Sequence, residues 1–133
     1  MAERYWPAGV PDDPLAETIT WTPVENGLFF STGPGRVRAA PVAAGVAVNL
    51  TADYPMSDHQ FHGLWLPWWL ARGSAGGVDN GILPFWLRDP IQRDARGNRR
   101  PFLFMRQEEG GMQTPKRDGA GWIITLSLMR LPT

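Results

Sequence analysis

The 133-residue chain contains no cysteine, which excludes disulfide bonds, thiolate metal sites and cysteine nucleophiles. It has no apolar run near the roughly 20 residues that span a bilayer, so we expect no membrane partner. A G-x-S-x-G nucleophile elbow and a phosphate-binding G-x-x-x-x-G-K-S/T loop are also missing. From these absences we expect a protein that is not an enzyme and that needs no cofactor or metal.

Lysine is nearly absent as well. Lys116 is the single lysine among thirteen basic residues, and thirteen acidic residues balance them. The planar guanidinium of arginine forms paired hydrogen bonds and stacks on aromatic rings, so arginine is favoured at protein interfaces. A GC-rich genome would produce the same bias without any functional meaning, and the composition leaves both explanations open.

Turn-forming residues are abundant, with thirteen prolines and fifteen glycines. Such a composition favours many short strands joined by turns. Three prolines in the first 16 residues predict an extended N-terminal arm over 1–16, followed by a single β-rich domain over 17–133. We expect Tyr5 and Trp6 of this arm to dock on this subunit or on a neighbouring one.

Alternating apolar and polar residues predict strands near 18–22, 28–32, 36–51, 82–87, 102–107 and 122–129. Tyr54 and Pro55 are predicted to end the strand before them, and the polar stretches 89–100 and 108–119 are predicted loops. We therefore expect six to eight strands and one helix. The predicted fold class is α+β, mainly β, in the form of a β-sandwich or split barrel with a flanking helix.

The flanking helix is predicted at about residues 57–72. Ser57 and Gln60 have the spacing of a capping box at its start. Four of the seven tryptophans lie between 57 and 90, and three of them share one helical stripe with two other apolar residues. That stripe consists of Phe61, Leu64, Trp65, Trp68 and Trp69. Pro67 lacks an amide hydrogen, so a kink or break is predicted near it.

The predicted core combines this helix with the later strands. Its residues are Phe61, Leu64, Trp65, Trp68, Phe85, Phe104, Trp122, Ile124, Leu126 and Leu128.

Two groups of side chains are weak candidates for chemistry. His59 and His62 lie three residues apart on the helix, a spacing that can bring two imidazoles to one metal ion. Two histidines at this spacing also occur on the polar edge of an ordinary amphipathic helix that binds no metal. Glu108 and Glu109 are paired carboxylates, but adjacent residues on a polar loop point apart and are normally solvated. We predict no metal and no catalytic site.

Arginines cluster between residues 88 and 106, with aromatic residues among them. Such a hairpin could follow a phosphate backbone, although neighbouring acidic residues partly neutralise it. A subunit contact explains the cluster equally well. The predicted interface residues are Tyr5, Trp6, Arg88, Arg93, Arg96, Arg99 and Arg100. Trp6, Trp21 and Trp86 are alternatively candidate platforms for a carbohydrate-binding module.

Several short motifs follow one another along the chain in a particular order. They are Arg36–Arg38; Phe61, Leu64, Trp65 and Leu70; Gly73–Gly81; Pro84, Phe85, Trp86, Asp89 and Pro90; Arg100–Arg106; and Gly121, Trp122, Leu126, Leu128, Leu131 and Pro132. In order and spacing they resemble the minor tail protein M or distal tail proteins of long-tailed bacteriophages. The likeness covers about residues 36–132, whereas Pro67 and residues 1–20 lie outside the family pattern.

The resemblance implies a structural part of the tail tip that joins the tail tube to the distal tail or baseplate. It implies a relative of the tube subunit that assembles as a hexameric or trimeric ring, with tube and hub proteins as partners and DNA only in transit. The implied location is the virion tail after synthesis in the cytoplasm of a bacterial host. Deleting residues 1–16 is expected to leave the monomer folded and to block assembly.

Overall fold

A computed structural model describes residues 3–24, 27–31, 37–41 and 47–132, with the two short middle ranges described as backbone strands. The strands are β1 (Thr20–Pro23), β2 (Gly27–Ser31), β3 (Val37–Pro41), β4 (Val48–Ser57), β5 (Phe85–Arg93), β6 (Arg99–Met112), β7 (Lys116–Asp118) and β8 (Gly121–Arg130). The helical segments are 3₁₀ turns at Ala16–Thr18 and Gly73–Ala75, a π-helical turn at Gln60–Trp65, and α1 at Leu66–Leu70. The predicted α+β, mainly β fold class is confirmed.

Six strands form one antiparallel sheet in the order β1-β4-β8-β6-β5, with β7 also pairing with β8. The central pair, β4 and β8, stays in register from Val48 opposite Arg130 to Ser57 opposite Gly121. Strands β2 and β3 pair only with each other, as a separate two-stranded sheet within the part of the chain described.

The core lies on one face of the six-stranded sheet. In β4 every second residue from Val48 to Met56 is buried, and the residues between them are half-buried. Strand β8 repeats this alternation around Ile124, Leu126 and Leu128. Because side chains of a strand alternate between faces, these patterns place the helix on one face and leave the other face partly exposed.

Four predictions about the strands are wrong. The single strand predicted over 36–51 is instead β3 and the start of β4, which belong to different sheets. Strand β4 does not end at Pro55 but continues to Ser57, because β1 flanks β4 only as far as Thr51 and the proline lies where that side is a sheet edge. Most of 89–100 is strand, with only 94–98 left as a turn. The predicted loop 108–119 contains the end of β6 and all of β7, since pairing with β8 overrides the polar composition.

The helix begins as predicted. The Ser57 amide donates to Gln60 Oε1 at 2.8 Å, and the Gln60 amide donates to Ser57 Oγ at 3.1 Å, which completes a capping box. The chain is helical from residue 58 to residue 70. The Leu66 amide reaches the carbonyl of Phe61, five residues back, so a π turn lies directly before Pro67. The predicted irregularity at Pro67 thus takes the form of a widened turn.

The tryptophans of the helix fill the core. Trp65 and Trp69 are fully buried and stack with ring centroids 5.1 Å apart. Of the predicted core, seven residues are buried: Phe61, Trp65, Phe85, Phe104, Ile124, Leu126 and Leu128. Leu64, Trp68 and Trp122 are partly buried against it. Among the residues described, no helix is both long and apolar enough to cross a membrane.

The N-terminal arm is extended and packs on its own chain. The Trp86 amide donates to the carbonyl of Arg4 at 2.8 Å, and the Trp6 amide donates to the carbonyl of Trp86 at 2.9 Å. These bonds add a short parallel strand to the outer edge of β5. The ring of Trp6 enters the core, with its centroid 5.3 Å from that of Tyr54 and 5.9 Å from that of Trp68.

Candidate interaction surfaces

A cleft of about 320 Å³ lies between the arm and β5. Its lining includes Tyr5, Trp6 and Trp86 together with Asp12 and Arg88. Tyr5 is 59% exposed, and its hydroxyl donates to a carboxylate oxygen of Glu3 at 2.6 Å. The cleft therefore combines aromatic and charged groups at the surface.

Asp12 ties the arm to the β5–β6 hairpin. Arg88 donates to both carboxylate oxygens of Asp12 at 2.7 Å, and Arg99 donates to the same carboxylate at 2.9 Å. Arg99 also pairs with Asp13 at 2.9 Å. Burial opposes ionisation of Asp12, but its hydrogen bonds and the charges of both arginines outweigh burial and hold its pKa below the usual value.

Two of the predicted interface arginines are thus paired within their own chain. Arg88 and Arg99 hold the arm, and the side chain of Arg99 is only 8% exposed. Trp6 likewise fills a space in its own core. Arg93, Arg96, Arg100 and Tyr5 remain exposed.

The three exposed arginines form a basic tip on the β5–β6 hairpin, defined here as Arg93, Arg96 and Arg100. Asp94 shapes the turn by accepting the amides of Arg96 at 2.9 Å and Asn98 at 3.0 Å. Arg93 donates to a backbone carbonyl of the turn at 3.3 Å. Within the described part of the chain, none of these three arginines forms an ion pair.

A second cleft, of about 370 Å³, opens on the partly exposed face of the sheet at the far end of β6. This acidic cleft is lined by Asn49, Gln107, Glu108, Glu109 and Met129. The register between β6 and β8 shifts between Arg106 and Gly111, so the two glutamates lie in an irregular part of the strand. Both are exposed, and no ion pair joins either to another residue that the structure describes.

Sequence reasoning missed a buried ionic centre at Asp89, which is fully buried. Its carboxylate accepts bonds from Trp21 Nε1 at 3.1 and 3.0 Å, from Arg130 Nη1 at 2.9 Å, and from the amides of Ile91 and Gln92 at 2.8 and 2.9 Å. Arg130 also lies over the Phe102 ring at 4.3 Å. The centre joins β1, β5 and β8, and such a fully paired carboxylate serves structure.

Among the described residues, His59 and His62 do not belong to a cluster of metal-ligating side chains. His62 Nε2 lies 3.6 Å from Asp58 Oδ1, and Trp122 Nε1 donates to the same oxygen at 2.9 Å. That hydrogen bond, with smaller contributions from His62 and Arg117, lowers the pKa of the exposed Asp58 carboxyl. No set of three potential ligands from His, Asp or Glu lies close enough to hold a metal ion among the described residues.

The candidate sugar platforms are engaged within the chain. Trp6 packs in the core, and Trp21 donates to Asp89 while Arg130 lies 5.7 Å from the centre of its ring. Trp86 is half-buried beside Tyr5 in the arm cleft. Trp6 and Trp86 both line the arm cleft.

Comparisons with models of protein families, with curated proteins and with solved structures found no match. The resemblance to phage tail proteins therefore stays a prediction that depends on the motifs described above.

Proposed function

We propose that this chain is a structural subunit of the tail tip of a long-tailed phage or a prophage-derived particle. It joins the tail tube to the distal tail as one member of a hexameric or trimeric ring, with tube and hub proteins on either side. The mainly β fold with one helix is consistent with this role, and so is the order of the motifs from residue 36 onward. The protein is located in the virion tail and catalyses no reaction.

The observation that carries the proposal is the β2–β3 hairpin. Strands β1 and β4 are directly paired, and the Val24 amide donates to the carbonyl of Ala47 at 2.7 Å. The chain therefore leaves the sheet and returns to it at the same point, with the hairpin in between. A two-stranded hairpin alone is only marginally stable in water, so we infer that this one packs against another surface. In a ring that surface belongs to a neighbouring subunit.

Light scattering of the purified protein tests the assembly. We expect a mass that is a sixfold or threefold multiple of the 14.8 kDa chain, and ring-shaped particles by electron microscopy. Antibody labelling of intact particles should mark the tail tip. A chain that stays monomeric at high concentration and never labels particles contradicts the proposal.

A carbohydrate-binding module is a second candidate, favoured by the arm cleft. Tyr5 and Trp86 present aromatic surface there, and Arg88 and Asp12 supply polar groups beside it. Sugar rings stack on aromatic faces in this kind of setting. Glycan-array binding that is lost in Trp86→Ala, with the fold retained, would support this role and disfavour the ring subunit.

A further inference from the structure

Two oppositely charged surfaces of this chain are exposed without ion-pair partners, the basic tip and the acidic cleft. The tip has three arginines and one aspartate, Asp94. The carboxylate of Asp94 accepts hydrogen bonds from backbone amides of the turn. The acidic cleft carries two glutamates, and none of its lining residues is cationic. Arg106, the arginine nearest to these glutamates in sequence, is half-buried and donates to the backbone carbonyl of Gln107 at 3.4 Å.

The two surfaces cannot meet within one molecule. They lie toward opposite ends of β6, with Arg100 and Glu109 nine residues apart in sequence. The six residues from Arg100 to Arg106 alone span about 20 Å at about 3.3 Å per strand residue, beyond the reach of two side chains, and the glutamates follow in the irregular stretch after Arg106. Only a second molecule can bring the tip of one chain to the cleft of another.

We propose that the basic tip of one copy docks into the acidic cleft of the next copy. This proposal deepens the proposed ring by naming the surfaces that touch. A contact between two different surfaces is heterologous, and repeating it closes a ring when the rotation between copies permits. Guanidinium groups pair with carboxylates through strong charge-assisted hydrogen bonds, so Arg96 and Arg100 suit Glu108 and Glu109.

The second copy is favoured over nucleic acid as the occupant of the tip. A chain that follows a phosphate backbone needs a positive surface, whereas this chain has no net charge. The only exposed large apolar side chains among the described residues are Tyr5, Leu70, Ile82 and Ile91, and none lies in the 94–98 turn to stack on bases. The acidic cleft, in contrast, matches the tip in charge.

A charge swap tests the contact. Arg96→Glu/Arg100→Glu reverses the tip, and Glu108→Arg/Glu109→Arg reverses the cleft. We expect each double variant to raise the dissociation constant of the assembly at least about tenfold in sedimentation velocity at low salt. A single chain that carries all four substitutions should assemble again, because its reversed tip fits its reversed cleft. Added salt should weaken the wild-type assembly.

Matched controls separate this contact from a general effect of charge. Arg72→Glu/Lys116→Glu and Glu17→Arg/Asp118→Arg change the net charge equally at other exposed positions, and should leave the assembly intact. Thermal melting of each variant checks that the fold is retained.

Three results would overturn the docking proposal. They are assembly that persists in either double variant, a four-substitution chain that stays dissociated, and control variants that dissociate as readily. Loss of DNA binding in the tip variant with assembly unchanged would assign the tip to nucleic acid instead. A wild-type chain that never assembles would reject the ring itself, whereas assembly indifferent to these charges would reject only this contact.

Discussion

Tyr54 carries one of two polar side-chain atoms that are buried without a hydrogen-bond partner in the described part of the chain; the other is Trp65 Nε1. Burial also raises the pKa of the Tyr54 hydroxyl. An unsatisfied buried group costs about 1–3 kcal/mol, so Tyr54→Phe should leave the free energy of unfolding unchanged or increase it. Urea unfolding followed by fluorescence measures this change.

Thr18→Val is the matched control for Tyr54→Phe. The Thr18 hydroxyl donates a hydrogen bond to the carbonyl of Leu15 at 2.7 Å and accepts one from the Asp53 amide at 3.0 Å. It therefore acts as both a donor and an acceptor. Its removal should cost about 1 kcal/mol. A loss of stability in Tyr54→Phe as large as that in Thr18→Val would show that the tyrosine hydroxyl has a partner, such as an ordered water.

Asp12 makes the stability of the fold depend on pH. Its pKa is lower in the folded chain than in the unfolded chain, because the two arginines stabilise the carboxylate. The stabilisation is therefore complete above the unfolded pKa, near 3.9, and is lost as the pH falls through the folded value. Asp12→Asn should remove this acid-dependent step and cost about 1–3 kcal/mol at neutral pH.

Thermal melting between about pH 2 and pH 7 measures the dependence on Asp12. Asp58→Asn is the control, because Asp58 also has a lowered pKa but lies exposed, where ion pairs contribute little. Equal acid profiles for wild type and Asp12→Asn would contradict the arm anchor.

At the scale of elements, the backbone of the loop after the helix passes close to the Trp69 ring at Gly81. Gly81 has a φ of 83°, and a Cβ added there would lie 2.4 Å from an atom of the Trp69 ring. Gly76 has a nearly identical φ of 84° with nothing within 4 Å. Gly76→Ala should cost about 1 kcal/mol from backbone strain alone. Gly81→Ala should cost about 1–3 kcal/mol more, because the buried ring must move.

Chemical denaturation of these two alanine variants measures the difference. Equal losses of stability would mean that the Trp69 ring yields freely, which is inconsistent with its full burial and its stacking on Trp65.

The N-terminal arm behaves as a packed element of the domain. Trp6 contacts Tyr54, Trp65, Trp68 and Phe85 within 6.4 Å between ring centroids. Trp6→Ala should therefore cost about 3 kcal/mol, the lower end of the range for truncating a core aromatic, because its ring is only partly buried.

Its neighbour Tyr5 is the control for Trp6, since Tyr5→Ala removes an exposed ring and should change stability by less than about 0.5 kcal/mol. Deletion of residues 1–16 is accordingly expected to destabilise the monomer, which revises the expectation from sequence. A truncated chain with wild-type melting would restore the original view of a detachable arm.

Local patterns predicted the elements whose causes are local. The capping box and the 3.6-residue spacing of aromatic residues depend on near neighbours, so the helix followed from the sequence. Pro55 and the stretch 108–119 depend on which strand lies beside them, and that is decided by residues about 70 and 15 positions away, respectively. Propensity describes only the chain itself, so it placed those boundaries wrongly.

At the scale of the whole molecule, the candidate surfaces show the same limit. The sequence predicted an arginine-rich hairpin at the surface, and the structure has one. It gave no way to tell that Arg88 and Arg99 pair with Asp12, which lies 76 and 87 residues earlier. The buried ion pair of Asp89 could not be predicted from the sequence either, because its partners Trp21 and Arg130 are 68 and 41 residues away. Only the fold separates the paired arginines from the exposed ones.

The whole molecule also provides a way to separate folding from assembly. Because Val24 and Ala47 are already hydrogen-bonded at 2.7 Å, residues 25–46 can be replaced by an Asn-Gly turn that joins β1 directly to β4. The replacement removes no strand of the six-stranded sheet, so the shortened chain should melt within a few degrees of the wild type. Without the β2–β3 hairpin it should stay monomeric in light scattering. A shortened chain that still forms rings would show that the hairpin is dispensable for assembly, and one that cannot fold would show that the hairpin packs on its own sheet.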